Sequence, residues 1–137
     1  MTDHGPAPYV VDIEDATLSN TNYRTTLWTG VGLQVTVMSI APGEDIGLEM
    51  HDDVDQFLRV EQGTARVQMG SAEDDLDFDV EVEDDWAIFV PRGKWHNVTN
   101  VGKEALKVYS IYSPPEHKHG TVHVTKAESD ADEHHHH

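Results

Sequence analysis

The chain contains no cysteine, so disulfides, thiolate metal ligands and cysteine nucleophiles are all excluded. It is also poor in bases: nine Lys and Arg stand against 26 Asp and Glu, for a formal charge of −17. Phosphate-rich partners are repelled by such a balance, which argues against nucleic acid and anionic membranes. No apolar run is long enough to span a bilayer. The opening "MTDHGPAPYVV" lacks both the basic start and the apolar stretch of a signal peptide, so a cytoplasmic setting is expected. A long amphipathic helix is missing as well. The acids are dispersed rather than blocked, a pattern suited to a salt-rich cytoplasm where screening reduces self-repulsion, and a halophilic source is the expectation.

What is present is a series of short runs rich in Val, Ile, Thr and aromatics, punctuated by Gly, Pro, Asn and Asp. Strands are expected near residues 9–13, 25–29, 33–40, 47–51, 56–61, 65–69, 78–82, 86–90, 97–100 and 106–112. So many short strands in 137 residues indicate an all-β antiparallel sandwich or barrel, with one core and no visible domain boundary. In the acidic stretch 73–85, Leu76, Phe78, Val80 and Val82 alternate with acids, as in a strand with one wet face. It lacks the spacing of an EF-hand calcium loop. Residues 1–125 are read as the single domain, and 126–137 as a disordered acidic tail. The closing "HHHH" is most economically the remnant of a purification tag, with a native metal-scavenging tail as the alternative.

Chemistry concentrates in two segments. In "GEDIGLEMHDDVDQFLRVEQG" (43–63), strand alternation puts Glu49 and His51 on one face and Ile46, Leu48 and Met50 on the other. A turn at 52–55 would bring Gln56 back beside His51, with Leu58 and Val60 deeper in the barrel. In "DDWAIFVPRGKWHNVTN" (84–100), a strand ends at Pro91, Gly93 supplies turn freedom and His96 opens the next strand. Here the chain resembles the cupins, whose first motif is G-x5-H-x-H-x3,4-E-x6-G and whose second is G-x5-P-x-G-x2-H-x3-N. Gly43, Glu49, His51, Gln56 and Gly63 occupy the slots of the first; Pro91, Gly93, His96 and Asn100 occupy those of the second. Three slots are altered: Glu49 stands for His, Gln56 for Glu, and Asp85 for the opening Gly of motif two.

The resemblance implies an antiparallel double-stranded β-helix, or jelly-roll barrel, holding a divalent metal ion through Glu49, His51, Gln56 and His96. Mixed nitrogen and oxygen ligands suit Mn, Fe, Ni or Zn. One carboxylate among the ligands leaves a net positive site able to polarise a ligand oxygen. Some small single-domain cupins isomerise or open sugar acids, and others are dioxygenases or resemble sugar-phosphate isomerases. The implied function is therefore a metal-dependent protein acting on or binding a small oxygen-rich molecule, with a non-catalytic binding module, a dioxygenase and a metal-free structural barrel as the alternatives. An apolar wall around Leu58, Val60 and Ile88 is expected to line the ligand site. The tail "YSPPEHKHGTVH" (112–123) reads either as an extended surface segment or as a lid carrying His117, His119 and His123, and Tyr112 keeps an inward parity. Arg59 is expected outside, and Trp28, Trp86 and Trp95 in the core or a subunit interface. The apolar faces of Ile46, Leu48 and Met50 call for cover, from a homodimer partner or from the 9–13 strand.

Overall fold

The computed structural model describes residues 2–136, with side chains described as far as residue 132. Nine strands and two helices follow in the order α1 (Ile13–Ser19), β1 (Arg24–Thr29), β2 (Gln34–Ile40), β3 (Asp55–Gln62), β4 (Ala65–Gly70), β5 (Phe78–Val82), β6 (Ala87–Val90), β7 (Trp95–Asn100), β8 (Leu106–Ser113), β9 (Val122–His123) and α2 (Lys126–His136). Every named pairing is antiparallel. The strands form a six-stranded sheet in the order β6–β3–β8–β2–β1–β9 and a three-stranded sheet in the order β5–β4–β7. This is the antiparallel sandwich expected of the strand pattern, in the jelly-roll form that the cupin resemblance implies. Its inner faces supply alternate residues to one core: Met38 and Ile40 from β2, Leu58 and Val60 from β3, Ile88 and Val90 from β6, Val98 from β7, and Leu106 and Val108 from β8. Among the described residues, no helix is long and apolar enough to cross a membrane.

The segment expected as a strand at 9–13 is not one. Asp12 accepts a hydrogen bond from the Asp15 amide and caps α1, with Glu14 and Asp15 in the first turn where the helix dipole favours acids. That cap overrides the strand propensity of the preceding Tyr-Val-Val. The sequence also suggests a disordered tail from residue 126, where the backbone instead forms α2. Its start is a capping box: the Glu128 amide donates to Thr125 Oγ1, and the Glu128 carboxylate accepts from the Thr125 amide. The reading of the terminal histidines concerns side chains outside the described residues.

The glycine slots of the two motifs are backbone requirements. Gly43, Gly63 and Gly93 have φ of 84°, 110° and 84°, and Asp85, in the slot where Gly is expected, has φ 74°. Aspartate is among the few residues that visit the left-handed region with tolerable strain, so the fold absorbs this departure locally. Asn100 closes motif two as a latch. Buried at 1 % exposure, it donates to the carbonyls of Ile40 and Glu104 and accepts from the Gly102 amide.

Candidate metal centre and cavity

The 43–51 arm does not form a regular strand of its own. It zips onto β7 through isolated bridges pairing Asp45 with Thr99 and Glu49 with His96. Backbone bonds from Ile46 to Val98, from Gly43 to Asn100 and from Gly93 back to His51 extend the contact. Motif one is therefore docked on motif two along its length, and the docking brings three site residues together. Ligand atoms of Glu49, His51 and His96 all lie within 4.8 Å of one another, a grouping able to hold a metal ion. Glu49 Oε1 is 3.4 Å from His51 Nε2 and 3.9 Å from His96 Nε2, and the two imidazole centroids are 5.5 Å apart.

Gln56 reaches the same region from β3, where it pairs with Tyr112 of β8; the Tyr112 ring lies edge-on to His51 at 6.5 Å. Its side chain is buried, and Oε1 has no hydrogen-bond partner among the described residues. The Nε2 atoms of His51 and His96 are likewise buried and unpartnered. Buried polar atoms are normally satisfied, and the two imidazole nitrogens without a partner stand in the same group as the Glu49 carboxylate, a possible cation site. The donor set fits a divalent ion with nitrogen and oxygen ligands.

The electrostatics agree. Burial opposes charge on Glu49, but His51 and then His96 outweigh it and hold the carboxyl below its ordinary range. Burial likewise disfavours the His51 imidazolium, yet Glu49, with Glu116 and Asp53 beyond it, raises the His51 pKa above its usual value. His96 lacks so close a carboxylate, and burial keeps it below the ordinary histidine value.

Above these residues opens a cavity of about 520 Å³. Glu49, His51, Leu48, Met50 and Trp95 form one wall; Glu116, His117, Lys118, Thr121, His123 and Asp132 form the other. The 114–123 segment therefore supplies the facing wall of the cavity. Three buried polar residues tie it down. Gln34 Oε1 accepts from the amides of Glu116 and His117 while its Nε2 donates to the His117 carbonyl. Arg24 donates to Ser129 Oγ and His123 Nδ1, which leaves His123 Nε2 to donate to Asp132 at 2.8 Å. Asp3 accepts from the Gly120 amide.

Several expectations are corrected. Leu48 and Met50 do not face away from Glu49 and His51 but share the cavity wall with them, because Gly47, at φ 91°, breaks the alternation. Ile46 turns into the core, while Leu48 and Met50 stay 39 % and 38 % exposed at the cavity. Leu58, Val60 and Ile88 lie deep in the core rather than on the cavity wall. Trp95 lines the cavity, and Trp86 is half exposed. Arg59 lies on the outside, paired with Glu61 and Asp85, and Tyr112 points inward, both as expected. Arg24, Gln34 and Asp132 escape the sequence reading. A lone Arg in the Thr-rich strand of so acidic a chain is the nearest thing to a signal; Asp132 sits in what looks like a polar tail.

Fold and site together define a β-sandwich protein of the cupin type, with a candidate metal centre at the base of a cavity. Residues 36–112 match the cupin domain family, and the chain belongs to it. It is 57 % identical to the protein YrkC of Bacillus subtilis (strain 168) over 133 residues, which is 97 % of this chain and 72 % of YrkC. It is 37 % identical to the protein L612 of Acanthamoeba polyphaga mimivirus, over 88 % of this chain and 74 % of L612. The crystal structure of BH2720 from Bacillus halodurans, 61 % identical, superposes with a TM-score of 0.95 over 96 % of this chain and 99 % of that one.

Proposed function

We propose that Glu49, His51 and His96, with Gln56 as the fourth ligand, hold one divalent ion (Mn, Fe, Ni or Zn), and that the cavity above it takes a small, uncharged, oxygen-rich molecule such as a sugar for isomerase-type chemistry. The observation that supports the reading is the grouping of Glu49, His51 and His96, whose ligand atoms lie within 4.8 Å of one another, with His51 Nε2, His96 Nε2 and Gln56 Oε1 all buried and lacking a hydrogen-bond partner among the described residues. Two neutral imidazoles, one amide and one carboxylate leave a divalent ion with net positive charge, which supplies Lewis-acid polarisation of a ligand oxygen. Glu116 and Asp132 bring two more carboxylates to the cavity against the single ammonium of Lys118. That balance favours an uncharged sugar over a sugar acid. His117 suits the same ligand: burial, then Arg24 and His123, push its pKa down to about 2, so it meets hydroxyls as a neutral hydrogen-bonding ring.

A second reading, a non-catalytic sugar-binding module, is favoured by one specific observation. Both carboxylates nearest the centre, Glu49 and Glu116, are engaged with His51, and neither stands idle as a base. Metal analysis of the chain with its terminal histidines substituted tests the centre. One equivalent, lost in His51→Ala and weakened in Gln56→Ala, is expected; unchanged stoichiometry in both variants would remove the ligand set. Turnover of a neutral aldose and ketose panel by the metal-loaded protein then separates enzyme from binder.

A further inference from the structure

The two site histidines are oriented alike. Each presents Nε2 to the Glu49 carboxylate, and each keeps Nδ1 against an acceptor on the far side. For His96 that acceptor is the Lys94 carbonyl at 3.2 Å, part of its own turn. For His51 it is Glu116 Oε1 at 3.4 Å, and Glu116 belongs to the segment that supplies the facing wall of the cavity. An imidazole that binds a metal through one nitrogen holds the other as N–H, and the acceptor of that N–H sets the tautomer and ring angle.

We propose that Glu116 is the positioning residue for His51: its carboxylate accepts the Nδ1–H hydrogen and so aims the Nε2 lone pair at the metal position. The proposal rests on the metal reading given above. The 3.4 Å separation is a few tenths of an ångström beyond a direct hydrogen bond. The Glu116 side chain is 30 % exposed.

Its backbone, by contrast, is fixed. The Glu116 and His117 amides both donate to Gln34 Oε1, at 3.2 and 2.9 Å. Gln34 is fully buried, and its Nε2 donates to the His117 carbonyl at 2.8 Å and to Thr29 Oγ1 at 3.0 Å. Thr29 Oγ1 in turn donates to Asp3. A continuous set of hydrogen bonds thus runs from Asp3 through Thr29 and Gln34 to the backbone that carries Glu116. The same hydrogen bonds that hold the 114–123 segment against the cavity therefore hold the residue that faces His51.

Zinc titration by calorimetry, with the four terminal histidines substituted in every variant, tests this. Glu116→Ala is expected to weaken Zn²⁺ binding about 10- to 100-fold, the usual effect of removing such a partner. Glu116→Gln keeps an acceptor oxygen and is expected to restore most of the affinity, while Lys103→Ala, in the exposed turn before β8 and away from the cavity, leaves it unchanged. Long-range ¹H–¹⁵N spectra of the zinc-loaded protein should show His51 as the Nδ1–H tautomer, with that proton lost to exchange in Glu116→Ala. Equal affinity for wild type and Glu116→Ala overturns the proposal, as does a Gln variant as impaired as the Ala variant. A wild-type protein that binds no zinc at His51 and His96 fails at the metal reading instead, and the two failures are told apart by that first titration.

Discussion

Glu49 and His96 face each other across an isolated antiparallel bridge, each amide donating to the other's carbonyl at 3.1 and 2.9 Å. Two backbone bonds thus place a carboxylate and an imidazole from separate motifs side by side before any metal is considered. Glu49→Gln leaves this bridge intact and removes only the charge. Metal affinity is expected to fall at least tenfold. In the metal-free protein the His51 pKa should drop, since burial then acts with less opposition. Calorimetry and an NMR titration of the His51 ring check both.

His51 and His117, two of the three histidines that line the cavity, give stability opposite dependences on pH in the metal-free protein. His51 has a raised folded pKa, so its contribution is full below the ordinary value of 6.5 and is lost as pH rises through the raised one. His117 is held neutral with a pKa of about 2, so the unfolded chain binds the extra proton and stability falls as pH drops below 6.5. Urea denaturation at pH 5, 6.5 and 8 should show a maximum between the extremes. His117→Gln should flatten the acid side alone.

Asp85 occupies a left-handed conformation in a slot shaped for glycine. Asp85→Gly relieves strain but adds chain entropy to the unfolded state, and the change in stability should stay within about 0.5 kcal/mol. Asp85→Val, β-branched at φ 74°, should cost about 1–2 kcal/mol. Denaturant midpoints at constant slope measure both.

Asn100 satisfies three backbone groups from its buried amide. Asn100→Ala strands the Ile40 and Glu104 carbonyls and the Gly102 amide, and a loss of about 2–4 kcal/mol is expected. The same variant loosens the junction where the 43–51 arm meets β7, so metal affinity should fall with stability.

Asp3 accepts hydrogen bonds from the amides of Gly5, Thr29 and Gly120 and from Thr29 Oγ1. Burial opposes its charge, but those donors win and hold its carboxyl below the usual range. Its contribution is therefore present above the unfolded value of 3.8 and is lost as pH falls through the lower folded one. Asp3→Ala should make the chain cleavable within 114–123 under limited proteolysis at neutral pH, with the sandwich intact.

Residues 43–63 and 84–100 were legible because their demands are local. Glycines at positive φ, a proline that ends a strand and ligand-type side chains two residues apart leave marks that spacing alone can register. Leu48 and Met50 were misplaced because period-two alternation assumes a regular strand, and Gly47 interrupts it. The distant parts of the cavity left no such trace. Arg24 and Gln34 act across separations of about 80 to 105 residues in sequence, and nothing beside them marks what they will meet, while Asp132, nine residues from His123, is hidden in a polar tail. The capped starts of α1 and α2 carried recognisable signals, in Asp12 with its acids and in Thr125 with Glu128, which composition obscured.

The anchoring of Asp3 to Gly120 has a mechanical consequence. The first described turn of the chain and the wall of the cavity share one carboxylate, so force applied ahead of Asp3 reaches the mouth without passing through the core. Displacing that side chain would release one of the three ties on the 114–123 segment and leave those of Gln34 and Arg24 in place.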